Sequence, residues 1–163
     1  MQTRSPKRLR WAVNGARTFD VPTTATRTVL AEIDRALRAM HFRSDALPPD
    51  SGAQRVYRRG SALGDVLIGG SGLSAITSRI GPLSVHGVIV VSLGGYGADR
   101  TRVIVSLVSG SHGGGDFVDA VDEAMRLIGS HHISVNDAGW SRAVDIDRTS
   151  PANPHRAAEL GLL

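Results

Sequence analysis

Gly110-Ser111-His112-Gly113-Gly114-Gly115 is the stretch whose residue types come nearest to a known chemistry. It joins an apolar run of strand character to an amphipathic run of helix character. A glycine loop entering a helix N-terminus can cradle phosphate through backbone N–H groups and the helix dipole. The details point elsewhere. There is no Gly-Lys-Ser/Thr ending and no dinucleotide fingerprint, and Asp116 would repel a phosphate at the helix start. The short loop before it implies an antiparallel hairpin rather than a parallel nucleotide-binding unit. A plain connector is expected.

The other reactive residue types converge no better. Ser71, in Gly69-Gly70-Ser71-Gly72-Leu73, lacks the second glycine of a nucleophile elbow. Ser111 and His112 are neighbours, and neighbours in an extended chain point to opposite faces. His131 and His132 precede Asp137, and His112 could approach across a helix. Paired histidines with a carboxylate can hold a divalent metal, but no spacing here follows a ligand pattern. His86 reads as a strand residue on the less buried face. Asp119, Asp122 and Glu123 read as an exposed helical face. No catalytic set, metal site or cofactor is expected.

Composition narrows the classes further. The chain has 163 residues, enough for one domain with a real core. Without cysteine it can form no disulfide, thiolate zinc site or cysteine nucleophile. No stretch approaches the ~20 apolar residues of a membrane span. The N-terminus lacks the apolar core of a signal peptide. A soluble cytoplasmic protein is the expectation. The net charge of +4 is unevenly spread. Arg4, Lys7, Arg8, Arg10 and Arg17 stand against Asp20 alone at the N-terminus, whereas the run after Gly115 is acidic. Arg8 and Arg10, with Arg58 and Arg59, are the candidates for contact with an anion. The basic arm could lie along nucleic acid, with steep salt dependence. With Trp 2, Tyr 2 and Phe 3, however, few aromatics remain for stacking on bases.

The elements that must position these residues centre on 84 to 130. Val85, Gly87, Ile89, Val91 and Leu93 alternate onto one face, as do Val103, Val105 and Leu107, so a β-hairpin is predicted. Its opposite face mixes Val88, Val90, Ile104 and Val108 with Ser92, Arg102 and Ser106. Another segment or a partner should partly cover it. Phe117, Val121, Ala124 and Ile128 then fall at helical spacing. Asp116 is the expected N-cap, Gly129 the expected stop, and Asp122 with Arg126 the expected i,i+4 pair. Earlier in the chain, Thr18 to Val21 reads as a short strand and Thr24 to Phe42 as a helix striped by Val29, Ile33 and Leu37. Gln54 to Arg59 reads as a weak strand, and His131 to Val135 as a further short one.

Together these give one α+β domain over 17–135. Its antiparallel sheet should have about three to five strands, with two long helices on one face, in the order β-α-β-β-β-α. A basic N-terminal arm (1–16) and a C-terminal tail (136–163) are expected to be flexible. The prolines of Thr149-Ser150-Pro151-Ala152-Asn153-Pro154 should exclude a helix there. Over residues 17 to 130 the element order resembles that of helix-grip modules, without a shared motif. That likeness implies a cavity for a hydrophobic ligand.

Function therefore reads first as protein interaction or assembly with self or heterologous subunits. The residues suited to it are Trp11 in the arm, Val66, Leu67, Ile68, Leu73 and Ile76 in a charge-free glycine-rich run, and Leu160, Leu162 and Leu163 at the C-terminus. The alternatives are a carrier or sensor of a hydrophobic small molecule and a weak, sequence-independent nucleic-acid-associated protein.

Overall fold

The computed structural model describes residues 14–48, 50–60, 86–110 and 114–163. Among them the chain runs β1 (Gly15–Pro22), α1 (Thr26–Ala39), β2 (Arg43–Asp45), β3 (Arg55–Arg59), β4 (Gly87–Tyr96), β5 (Arg100–Gly110), α2 (Gly114–Ser130), β6 (Asn136–Arg142) and α3 (Pro154–Glu159). All six strands form one antiparallel sheet in the order β2-β3-β4-β5-β1-β6. The fold is α+β, as expected, but with six strands rather than three to five. The extra members are β2, a three-residue edge, and β6. Residues 136–142, read in the sequence as the start of a tail, close the sheet beside β1. The strand expected at His131 to Val135 starts instead at Asn136.

The predicted hairpin is present, and its alternation separates two buried surfaces. Ile89, Val91, Val103, Val105 and Leu107 face the helices, packed with Phe19, Val21, Tyr57 and Trp140. From α1 come Val29, Leu30, Ile33, Ala36 and Leu37, and from α2 Phe117, Val118, Ala120, Val121, Ala124 and Ile128. Burying each large apolar side chain contributes roughly 1.5–3 kcal/mol, so this layer dominates the stability. Phe117 meets Trp140 edge-on at 5.7 Å and 81°, a favoured aromatic geometry.

The helix ends explain the chain's path. At the end of α1 the His41 N–H donates to the Arg38 carbonyl and the Phe42 N–H to that of Leu37, both at 3.0 Å. This paired closure needs a left-handed residue between them, and His41 supplies it at φ 64°. Phe42, directly after, is buried. In α2, which begins at Gly114, Asp116 lies in the first turn rather than at the N-cap. Gly129 lies inside the helix, and His132 takes the left-handed position at φ 56°. Arg126 pairs with Glu123, the neighbour of the predicted Asp122, at 2.7 Å for each of two contacts.

The C-terminal prolines act differently from expectation. Asn153 caps α3, its Oδ1 accepting from the His155 N–H at 3.0 Å, and Pro154 takes the first helical position. Proline is favoured there because its missing N–H would have had no partner anyway. Gly161, at φ 68°, closes α3 by the paired bonds seen at α1: Gly161 N–H to Ala158 O at 3.1 Å and Leu162 N–H to Ala157 O at 2.9 Å. That closure turns Leu162 back onto the sheet.

Candidate interaction site

Strand register defines the face opposite the helices row by row. One row crosses five strands as Val56, Val90, Ser106, Ala16 and Ser141. The next carries Ser92, Ile104, Thr18 and Gly139. The face is thus apolar on β3 and β4 and grades into hydroxyls and small residues on β5, β1 and β6. The segment 143–163 lies over it. Ala157 and Leu162 pack with Val56, Val88, Val90 and Val108 on the apolar half. Ala143, Ile146 and Ala152 pack with Ala16 and against Ile104 on the other. The expected cover for this face is therefore the chain's own C-terminal segment.

Polar contacts across that cover are few and of uneven quality. Arg58 Nη2 donates to the Leu162 carbonyl at 3.1 Å, and its Nε also binds Asp45. Ser92 Oγ stands 3.4 Å from Ser150 Oγ, a long contact for two hydroxyls. Asn153 Nδ2 donates to Ile146 O at 2.7 Å and stiffens the segment internally. Beneath it, the hydroxyls of Thr18, Ser106 and Ser141 are buried without a hydrogen-bond partner. Unpartnered buried hydroxyls are uncommon in folded proteins.

A second polar cluster closes the end of the sheet where β3 leaves and β4 enters. The Arg59 side chain is only 2% exposed, with Nη1 at 2.7 Å from Asp116 Oδ2 and 3.2 Å from Met40 O. Its guanidinium lies 4.7 Å from the Phe42 ring centre, within cation–π range. It joins β3, the end of α1 and the first turn of α2.

The remaining clusters lie apart from one another. Between α1 and β3, the Tyr57 hydroxyl donates to Asp34 Oδ1 at 3.0 Å, and Asp34 also pairs with Arg38 at 2.7 Å and Arg55 at 3.3 Å. Burial pushes the Tyr57 phenol up to about 12. At the hairpin end, Arg102 grips buried Asp20 at 2.8 and 3.2 Å and lies 4.0 Å from the Tyr96 ring centre. The bond to Asp20 raises the Arg102 pKa further. Asp34 and Asp20 are each held by arginine within the fold, and the Tyr57 hydroxyl is spent on Asp34.

The candidate residues fall into four groups. Trp11, Arg8, Arg10, Val66, Leu67, Ile68, Leu73 and Ile76 lie outside the described residues, as do Ser71, Ser111 and His112. Leu162 is buried, Leu160 packs partly buried beside it, and Leu163 is 47% exposed. Arg58 and Arg59, expected at a basic edge, point to Asp45 and Asp116; Arg59 is turned inward. Of the histidine group, His112 lies outside the described residues, and His131 and Asp137 have separate partners. His131 Nε2 lies 2.9 Å from Glu32 Oε1, whereas Asp137 binds Arg17 and caps the Gly139 N–H at 2.9 Å. Among the described residues no group of three His, Asp or Glu side chains could hold a metal. None of their helices is long and apolar enough to cross a membrane.

Sequence patterns marked the mixed character of the second face through Ser92 and Ser106. Thr18 and Ser141 escaped notice because strand register, not local composition, brings them into that surface. The crevice between α1, α2 and the sheet, lined by Phe19, Ile33, Leu37, Val105, Val121 and Met125 among others, does not admit a water molecule. Comparison with known proteins finds no matching family model, curated protein or solved structure.

Proposed function

We propose that the chain is a non-enzymatic interaction or assembly subunit that contacts its partner through the apolar side chains of the 61–85 segment. The observation that carries this reading is the pairing of Arg59 with Gly87 at the end of the β3–β4 ladder. Arg59 and Gly87, the described residues nearest the two ends of that segment in β3 and β4, are thus paired neighbours in the sheet. The sequence between them carries Val66, Leu67, Ile68, Leu73 and Ile76 with no charge between Val66 and Ser78, a composition suited to an apolar contact.

The other readings draw less support. Among the described residues the crevice under α1 does not admit a water molecule, which gives a hydrophobic-ligand carrier little support. Arg17, Arg38, Arg55, Arg58, Arg59 and Arg102 each face a carboxylate, which lowers their pull on nucleic acid.

The test compares native mass spectra of the wild type, a Leu67→Asp/Ile68→Asp variant and a Leu162→Ala variant. Assembly through 61–85 predicts a discrete multimer or constant partner mass that the aspartates abolish. Leu162→Ala should lower stability by roughly 2–4 kcal/mol as a core truncation and leave the assembled mass unchanged. A wild-type chain that runs as a bare monomer overturns the reading.

A further inference from the structure

We propose that residues 143–163 form a strap that opens from the sheet as one unit while the sheet and its two long helices stay folded. Three observations converge on this. The strap is attached by five apolar anchors of which only Ile146 and Leu162 are large: Ala143, Ile146 and Ala152 on one half and Ala157 and Leu162 on the other. None of these belongs to the large cluster on the helix side. The strap is also rigid within itself: Asn153 N–H donates to Ser150 O at 2.9 Å, Ala157 N–H to Asn153 O at 2.8 Å, and the Gly161 closure fixes Leu162. Finally, closing the strap buries the hydroxyls of Ser106, Thr18 and Ser141, on the three adjacent strands β5, β1 and β6, at 0%, 7% and 7% exposure and without partners.

The third observation sets the balance. A hydroxyl bonded to water when the face is open loses that bond on closure and gains none, so each one opposes closure. The apolar anchors favour it. A boundary with opposed terms of this kind opens below the free energy of global unfolding. Opening bares the row of valines, Val56, Val88, Val90 and Val108, beside the hydroxyls. The strap thereby governs access to the sheet face opposite the two long helices.

Because the chain contains no cysteine, Ser92→Cys/Ser150→Cys places two unique thiols where the hydroxyls stand 3.4 Å apart. Hydrogen exchange is read on the full-length variant, reduced and oxidised. In the reduced protein the amides of Asn153, Ala157 and Leu162 should exchange at one common opening free energy. Their rates should exceed those of Val91 and Val105 in the central ladder by at least about tenfold. Oxidation should slow the strap amides by a larger factor than the ladder amides and so bring the two sets together. Strap amides that exchange in step with the ladder in the reduced protein overturn the proposal, as does progressive fraying from Leu163 inward. A second variant needs no disulfide. Ser106→Ala/Ser141→Ala removes two unpartnered hydroxyls and should slow strap exchange, on the order of tenfold for each. Unchanged or faster exchange contradicts the proposal.

Discussion

The Arg59 guanidinium is held between the Asp116 carboxylate, 2.7 Å away, and the face of Phe42, 4.7 Å from its ring centre. One buried cation thus ties the last residue of β3 to the first turn of α2 and the exit of α1. Asp116 also sits near the positive end of its own helix, which favours its charge. Removing one member of such a pair leaves the other's charge without its partner. Asp116→Ala should therefore destabilise the fold by roughly 3 kcal/mol, the low end for a buried pair because Asp116 keeps some exposure. Arg59→Met, which removes the charge and keeps apolar bulk, should cost less. Urea unfolding of both variants and their double mutant measures the coupling.

His41 holds the left-handed position that closes α1, a place where a side chain strains the backbone and glycine does not. His41→Gly should stabilise the protein by about 0.5–1 kcal/mol. His41→Val should destabilise it, since a β-branched residue tolerates that conformation least. Thermal unfolding ranks the three chains, and glycine below histidine would show that the His41 side chain makes a contact worth more than the strain.

Tyr57 links stability to alkaline pH. In the unfolded chain its proton leaves near about pH 10, and in the folded protein near about 12. Between these values the unfolded chain binds fewer protons than the folded one, so stability falls as pH rises. The stabilisation is whole below about pH 10 and is lost as the folded phenol ionises, a total of roughly 2–3 kcal/mol. Tyr57→Phe should remove this part of the slope. Urea midpoints taken across that range for both chains provide the comparison, and parallel slopes would contradict the assignment.

How far the sequence revealed this molecule depends on the range of the interaction. The β4–β5 hairpin and both long helices follow from local periodicity, and Ile89, Val91, Val103, Val105, Val121 and Ile128 lie on the predicted faces. Strand β6 was hidden because Asn136-Asp137-Ala138-Gly139 has little strand character, and pairing with β1 imposes the conformation. The start of α3 was readable in Asn153-Pro154, yet the same prolines suggested an unstructured tail. Ion pairs such as Arg59–Asp116 and Asp20–Arg102 join residues far apart in the chain, so composition revealed the charges without their partners. The placing of the hydroxyls of Ser106, Thr18 and Ser141 under the strap depends on register across β5, β1 and β6, which no single stretch encodes.

The oligomeric mass of the intact chain beside its Leu67→Asp/Ile68→Asp variant tests the assembly reading most directly. A discrete multimer or partner complex in the wild type, reduced to a folded monomer by the two aspartates, is the predicted result. An unassembled wild type, or an assembly that persists unchanged in the variant, would contradict contact through the 61–85 segment.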